Sequence, residues 1–354
     1  MIRTITPVSD AAQYLAGKNV TWKLSIAEQE LLQGSIRITG DLVMTVTGGN
    51  TLEIDKLVGV HALFDNWVCG SEKKGNMEPV NNYGRFVRHL HVANLAEDDL
   101  GINRDGELMF HTDNALVWYQ AQSDGVKNYI SFCFKPLIPF NRSKGNISYD
   151  ACGNLEIQHI LKPILQALKS NDATQTLGYT IQNLKMHYVT LPDSKQNQRI
   201  MMSTYHSSQQ EIGSDNVTIS KTTLGSMAVD SVCASFISIA NEGLQTTNYY
   251  AFEDMGVSSV QFSYNDIANN YFQFPMKTKE EIIYNGLLAF NRNNMKKYNM
   301  NALKYNNGEN CIIGLQYPQL LDMTSHKFGV NILSNASNVN KYYMYLFFSG
   351  EIVY

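Results

Sequence analysis

The chain has 354 residues, a formal net charge of −4 and only 17% charged residues. This length exceeds the size at which one hydrophobic core usually keeps growing, so we expect two domains. The slightly acidic balance, without a long run of Lys or Arg, lacks the basic footprint of a nucleic-acid-binding protein. We therefore expect no specific nucleic-acid partner.

The five cysteines are odd in number and lack CxxC spacing. This pattern predicts neither a disulfide framework nor a zinc knuckle, and it favours a reducing compartment. Residues 1–17 do not read as a signal peptide, and no uncharged apolar stretch reaches the roughly 18 residues of a membrane-spanning helix. We expect a protein made and kept in a reducing environment.

A long alternating β-pattern over residues 32–47, broken once at Gly40, opens the first half. Tyr83, Phe86, Val87 and Leu90 follow at helical spacing and predict a short helix over about residues 82–96. The rest of this half is typical of short strands with turns between them. Predicted strands lie within residues 52–68 and at 107–111, 115–121, 129–136 and 155–160, with a short helix at 163–169.

A second alternating pattern over residues 177–190 opens the second half, after a polar segment at residues 170–176 that we interpret as a linker. Further predicted strands lie at 199–205, 216–221, 231–239, 249–252, 258–264, 311–317, 328–334 and 342–352. A T-x-x-E capping box from Thr278 to Glu281 predicts a helix over residues 279–290. The expected domains are residues 1–170 and 171–354, both all-β and antiparallel, each with one inserted helix.

His89 and His91 form the sharpest candidate for catalysis, because Gly84, His89, His91 and Glu97 come close to the metal motif of cupins. On a strand, both imidazoles would face one way and could share a metal. On the predicted helix, the two rings point roughly 200° apart and cannot chelate together. The helical spacing therefore favours ordinary histidines on a helix surface.

The other candidate groups have simpler structural interpretations. Cys69 or Cys152 could serve as a nucleophile, but buried or idle thiols are more common. The acidic run at residues 97–99 is typical of a solvated turn. The aromatic residues of the last predicted strand, which could form a ligand platform, alternate like a strand that serves a core and an interface: Tyr342, Tyr343, Tyr345, Phe347 and Phe348. No Gly-rich phosphate loop or G-x-S-x-G motif is present, so we expect no catalytic, cofactor or metal site and no enzyme activity.

Several segments together resemble the double jelly-roll major capsid proteins of the tectivirus–adenovirus lineage. Residues 32–49 resemble the first strand of that fold, and residues 83–97 resemble its helix-bearing loop. Residues 130–141 and 153–158 are similar to the closing strands of one viral jelly roll, and residues 343–349 to the last strand of the second. The resemblance rests on pattern over nearly the whole chain.

This resemblance implies two eight-stranded antiparallel jelly rolls side by side, each with a short helix in an inserted loop. It implies a structural virion protein, made in the host cytoplasm, whose homotrimers are pseudo-hexagonal capsomers of an icosahedral shell. The implied partners are neighbouring capsomers and vertex or minor capsid proteins. Many relatives enclose a lipid membrane, which leaves contact with an internal membrane as an open alternative.

Two other functions stay in view at this stage. One is a vertex or minor capsid protein, which would be pentameric instead of trimeric. The other is a two-domain β-sandwich lectin or cupin-type metal enzyme, which bound sugar, zinc or iron would favour. The absence of any clear catalytic group and the abundance of Asn-rich loops and aromatic residues favour the capsid protein.

Overall fold

The computed structural model describes residues 1–46, 51–77, 79–94, 106–108, 116–120, 128–193, 199–213, 217–224, 227–253, 255–264, 267–275, 286, 289, 311–323, 326–334 and 341–353. The described strands up to the end of the second alternating pattern are β1 (Ile2–Ile5), β2 (Gln13–Leu15), β3 (Asn19–Leu24), β4 (Gln29–Leu31), β5 (Arg37–Val46), β6 (Thr51–Asp55), β7 (Phe64–Ser71), β8 (Gly75–Asn76), β9 (Leu116–Gln120), β10 (Asn128–Phe134), β11 (Ile147–Ser148), β12 (Leu155–Leu161), β13 (Lys169–Ser170) and β14 (Leu177–Pro192).

Three α-helical segments interrupt these strands: α1 (Tyr83–Asn94), α2 (Tyr149–Cys152) and α3 (Ile164–Ala167). The long helix α1 matches the helix predicted over residues 82–96. Short 3-10 turns lie at Gly59–Leu63, Pro139–Arg142 and Ile239–Asn241. The predicted helix at 163–169 is a single turn, because its residues return to extended backbone at Leu168.

Strand β5 shows why the first alternating pattern is broken at Gly40. Ile38, Leu42 and Met44 are fully buried on the inner face of the sheet. A Cβ atom at Gly40 would lie 2.8 Å from the Phe132 ring, which packs across the strand at this point. The break in the alternating pattern therefore leaves room for an aromatic ring.

The first half folds around two main sheets. The larger sheet has the order β10-β5-β14-β4-β11, with β1 and β2 also pairing with β14. The smaller sheet has the order β3-β12-β7-β8, and a third group joins β13, β6 and β9. All the described pairings in these sheets are antiparallel.

The second alternating pattern belongs to the first half, contrary to the predicted division at residue 170. Strand β14 pairs with β5 from Leu177↔Val46 to His187↔Arg37, its other edge pairs with β1 and β2, and its last residues pair with β4. The alternating pattern predicted the strand but not the strands with which it pairs, because side chains alternate with a period of two residues in every half-buried strand. Residues 170–176 therefore connect two strands of one half, and we propose the division between β14 and the next strand.

The second half is an eight-stranded jelly roll. Its strands are β15 (Met201–Ile212), β16 (Val217–Thr223), β17 (Ala228–Ser238), β18 (Val257–Tyr264), β19 (Ile267–Pro275), β20 (Ile312–Asp322), β21 (Lys327–Ser334) and β22 (Tyr342–Val353). One sheet has the order β15-β22-β17-β20 and the other the order β16-β21-β18-β19. Eight successive strands thus alternate between two packed sheets as 1-8-3-6 and 2-7-4-5, the jelly-roll arrangement.

The predicted strand at residues 249–252 and the predicted helix at residues 279–290 have different outcomes in the structure. Residues 249–252 are not a strand and lie instead in the connection between β17 and β18, whereas β19 was not predicted. The predicted helix at 279–290 lies outside the described residues except for Gly286 and Ala289, which are both helical. A Cβ atom on Gly314 of β20 would lie 2.7 Å from the Ala289 Cβ, so Ala289 packs closely on the sheet.

Candidate functional site

The two halves meet along a buried layer, which we call the seam. It joins helix α1 of the first half to the outer face of the β15-β22-β17-β20 sheet and to residues 239–253 of the second half. The Phe86 ring on α1 stacks on Tyr205, with the ring centres 3.5 Å apart, and lies 5.9 Å from Phe347. Residues of both halves therefore form one continuous hydrophobic core.

Strand β22 is buried on both faces at the seam. Tyr345 and Phe347 pack into the core shared with the first half. The alternate side chains pack inside the second jelly roll: Tyr342, Met344, Leu346 and Phe348. This explains the nearly continuous apolar run of the strand, which is typical of strands covered on both sides. The aromatic residues of this strand, which was predicted to serve a core and an interface, therefore lie partly inside the second jelly roll and partly at the seam.

Arg85 of helix α1 is enclosed by side chains of the second half. It is 1% exposed, and its guanidinium carbon lies 4.0 Å from the ring centre of Tyr249 and 4.1 Å from that of Tyr345. Its Nη2 lies 3.4 Å from Oε1 of Glu242, which also accepts a 2.7 Å hydrogen bond from the Tyr345 hydroxyl. We call Tyr249, Tyr345 and Glu242 the Arg85 cage.

The cage keeps the arginine charged. Burial lowers the pKa of Arg85, but Tyr249, Tyr345 and Glu242 raise it by more, so the net shift is upward. Aromatic faces and a carboxylate both stabilise a guanidinium, which is weakly hydrated and planar. Arginine and tyrosine in such buried positions are the residue types that most often dominate protein interfaces.

Two further buried ion pairs flank the Arg85 cage. Arg88 of α1 pairs with Asp55, whose Oδ2 also accepts a 2.8 Å hydrogen bond from Asn248 of the second half. Lys162 pairs with Asp65, whose other oxygen accepts a 2.8 Å hydrogen bond from the Tyr83 backbone N–H at the start of α1. These three ion pairs of the seam lie within the chain and fix the position of α1.

Residues 239–253, which we call the strap, run from the second roll across the first half. Gln245 Nε2 donates to the carbonyls of Asp172 (2.7 Å) and Gln175 (2.9 Å), and its own carbonyl accepts from the Ser170 N–H. The Tyr250 hydroxyl donates a 2.9 Å hydrogen bond to the Ala62 carbonyl. The strap therefore binds the first half mainly through side chains that donate hydrogen bonds to backbone carbonyls of that half.

Gly84 lets the strap approach helix α1. A Cβ atom at this position would lie 2.6 Å from Cε1 of the Tyr250 ring. The ring cannot move aside easily, because Tyr250 is 2% exposed and its hydroxyl is held by Ala62. The helix therefore needs glycine here for close packing, despite the low helix propensity of glycine.

His89 and His91 lie on different sides of α1, as the helical interpretation predicts. His89 faces the second half, where its Nδ1 lies 3.3 Å from Cys233 Sγ and its ring 4.3 Å from that of Phe252. His91 faces the first half, where its Nδ1–H donates to the Leu57 carbonyl. The expectation of histidines on a helix surface is wrong for His89, which is fully buried because α1 is covered by both halves.

Burial and nearby charges disfavour protonation of both histidines. Burial, followed by the charges of Arg85 and Arg88, lowers the pKa of His89 well below its ordinary value. Burial and the neighbouring His61 lower the pKa of His91 to about 4. Within the described part of the chain, no group of three or more His, Cys, Asp or Glu residues is placed to hold a metal ion.

The remaining candidates show no sign of activation. Burial raises the pKa of the Cys69 thiol to about 12 and also raises that of Cys152, the opposite of what a thiolate nucleophile needs. The acidic run at residues 97–99 lies outside the described residues. Among the helices that the structure describes, none is both long and apolar enough to span a bilayer.

Sequence reasoning missed Arg85, Arg88 and the strap as parts of the seam. Arginines are rarely fully buried, so their place on α1 indicated a solvated face.

No protein-family model matches the chain, and no curated protein matches its sequence. Solved structures do match it. The Faustovirus major capsid protein aligns with a TM-score of 0.71 at 8% identity, covering 100% of this chain and 90% of that one. The mavirus major capsid protein aligns with a TM-score of 0.58 at 9% identity, covering 98% and 86%.

A chain from the structure of Sulfolobus Turreted Icosahedral Virus aligns with a TM-score of 0.55 at 9% identity, covering 98% of this chain and 90% of that one. These matches extend over both halves, and the strand order of the second half is that of a jelly roll. The chain has a double jelly-roll fold. At identities below 10%, the likeness is one of fold, and the predicted fold class is confirmed. The seam is then the contact between the two rolls.

Proposed function

We propose that this double jelly-roll chain is the major capsid protein of an icosahedral virus, a structural virion protein and not an enzyme. The observation that carries the proposal is the alignment of the whole chain with 90% of the Faustovirus major capsid protein. An alignment over both rolls, with few additional segments on either side, supports a shared architectural role. The raised pKa values of the two candidate nucleophiles, Cys69 and Cys152, are compatible with this role.

We propose further that three copies form a pseudo-hexagonal capsomer. Two rolls that are joined by a buried seam present two similar wedges from one rigid subunit. A closed ring of three such subunits then offers six wedges, so that one gene product packs hexagonally. The ion pairs of the seam are used inside the chain, which leaves loops and aromatic strand ends for contacts between copies.

The partners in this proposal are neighbouring capsomers and vertex or minor capsid proteins, within the virion. Synthesis in the host cytoplasm agrees with five cysteines that are all free thiols, four of them buried. Contact with an internal membrane is a separate hypothesis, which flotation of the purified protein with liposomes tests.

The oligomeric mass of the purified protein tests the proposal. Mass photometry should give three times the chain mass of 39.9 kDa. The trimer should persist from low to high salt, because only 17% of the residues are charged and contacts between copies rely little on ion pairs. A pentamer would favour a vertex protein, and a monomer that retains zinc, iron or sugar would favour the lectin or cupin alternative.

A further inference from the structure

Two histidines meet beneath helix α1, on the side away from the second roll. His61 lies in the 3-10 turn Gly59–Leu63 and is 1% exposed. Its ring centre lies 5.8 Å from that of His91 on α1, with the ring planes 76° apart. His61 Nδ1 is 2.7 Å from the Tyr83 hydroxyl, also on α1. The pair thus joins the core of the first roll to both ends of the helix.

One carboxylate faces the two imidazoles. Glu107 Oε2 lies 3.7 Å from His61 Nε2, and the other Glu107 oxygen accepts a 3.4 Å hydrogen bond from the Lys135 backbone N–H. Burial alone would raise the pKa of Glu107, but the hydrogen bond and charge of His61, with the charge of His91, lower it. Glu107 can therefore stabilise one protonated imidazole.

The other charges near the pair do not offer a second counter-ion. Asp55 is already paired with Arg88 on the same helix and with Asn248 of the strap. Lys135 interacts electrostatically with Glu107, and Arg142 interacts electrostatically with Tyr83. His91 Nδ1–H is held by the Leu57 carbonyl. Among the described residues around the pair, a second proton would therefore add a cation to a buried site that already holds several cations.

We propose that the His61–His91 pair is an acid-sensitive element that releases helix α1 from the seam when the pH falls. A proton taken up by His91 stays poorly solvated while α1 is docked between the two halves, and undocking of the helix hydrates this imidazolium group. Since α1 carries Arg85 and His89 into the second roll, its release loosens the two rolls. The consequence for the virion rests on the proposed function: in a capsid protein, this release would couple acidification to a weakened shell.

The direction and size of the effect follow from linkage. Burial and His61 lower the pKa of His91 to about 4, from an ordinary value of 6.5 that applies once the helix is released. The released state therefore binds a proton more strongly between these values, and its population rises as the pH falls below 6.5. Between neutral pH and about pH 5, His91 alone raises the release equilibrium about 20-fold.

Thiol labelling of the full-length protein with 4,4′-dithiodipyridine, followed by mass spectrometry of the peptides, tests this. Cys233 is 1% exposed, contacts His89 and becomes accessible when α1 leaves the seam. Cys69 lies in the core of the first roll and reports its unfolding, and the exposed Cys133 corrects for the pH dependence of the reagent. The Cys233 rate relative to Cys133 should rise at least about 20-fold on acidification from neutral pH to about pH 5, with Cys69 still protected.

The variant His91→Gln should lose the share of the rise that His91 supplies, about 20-fold, and keep the share of His89, whose pKa burial also lowers. His187→Gln, at a partly exposed histidine of β14, should keep the full rise. Protection of Cys69 at neutral pH shows that a variant folds. If His91→Gln does not fold, His61→Gln takes its place in the experiment. The proposal would be overturned by protection of Cys233 at about pH 5 or by labelling of Cys69 in parallel with Cys233. A rise in His91→Gln as large as that of the wild type would also overturn it. The labelling is read on each chain, so a protein that is not a trimer would leave this result intact.

Discussion

The Arg85 guanidinium, on a helix of the first roll, lies 4.0 Å from the ring centre of Tyr249 on the strap of the second. Tyr345 closes the opposite side at 4.1 Å, and Glu242 supplies the countercharge. The packing of this buried charged group thus joins the two rolls, and it makes the seam the natural target for mutation.

Replacement of Arg85 with alanine should lower the free energy of unfolding by about 3–5 kcal/mol, because Glu242 stays buried without its cation. Arg85→Lys should recover only part of this, since an ammonium group cannot stack between two rings as a planar guanidinium does. Urea unfolding followed by circular dichroism measures both.

Lys341→Ala is the matched control for Arg85→Ala. Its pair with Glu211 is exposed at both ends, with side chains 67% and 51% accessible. Such surface pairs contribute little, and we expect a change below about 1 kcal/mol. Equal losses in Arg85→Ala and Lys341→Ala would show that the Arg85 cage does not stabilise the seam.

Gly84→Ala should destabilise the protein by about 1–3 kcal/mol, although alanine is the better helix former. The new methyl group would meet the Tyr250 ring at 2.6 Å. Urea unfolding of Gly84→Ala with and without Tyr250→Leu measures the coupling. The cost of Gly84→Ala should shrink when the ring is removed; a stabilising Gly84→Ala would contradict the close contact of strap and helix.

His159 should make the protein less stable in acid. Burial lowers its pKa to about 3 from 6.5, and its Nε2 accepts a 3.1 Å hydrogen bond from the Trp22 indole N–H, which protonation would break. The unfolded chain therefore takes up the proton first, and stability is lost as the pH falls from about 6.5 toward 3.

His159→Gln should flatten this pH dependence by up to about 1.4 kcal/mol per pH unit, whatever its stability at neutral pH. Unfolding free energies of the wild type and the variant at a series of pH values give the two slopes. Parallel slopes would mean that His159 is not protonated on unfolding.

Neither roll should be stable alone. Residues 1–170 lack β14, which pairs with β5, β1, β2 and β4. A first half extended through residue 193 regains this strand but exposes the seam face of α1. We expect the extended half and residues 199–354 to associate when they are coexpressed, which copurification through one tag detects. A soluble, cooperatively melting monomer of residues 1–170 would contradict the shared core.

The sequence predicted the fold class, helix α1 and most strands because each depends on local periodicity. It did not predict that β14 belongs to the first roll, because the alternation of a strand carries no information about its partner. The burial of Arg85 was also missed, since it depends on a cage built from the strap and β22. Arg85 and Glu242 are 157 residues apart along the chain, and nothing local in the sequence specifies their contact.

The aromatic run of β22 shows the opposite case. Its residues 342–348 are nearly all apolar, and a strand with this composition is covered on both faces. The prediction of a core-plus-interface strand agrees with the structure, where alternate residues pack into different cores. The identity of the interface could not be predicted, because it is the face of the other roll in the same chain.

Electron cryo-microscopy of the purified oligomer tests the central claim most directly. Three subunits with two rolls each should give a ring of six similar lobes with three-fold symmetry, and each lobe pair should be joined by the seam that contains α1. A five-fold ring, a two-fold dimer, or single particles with only two lobes would contradict the proposal of a trimeric major capsid protein.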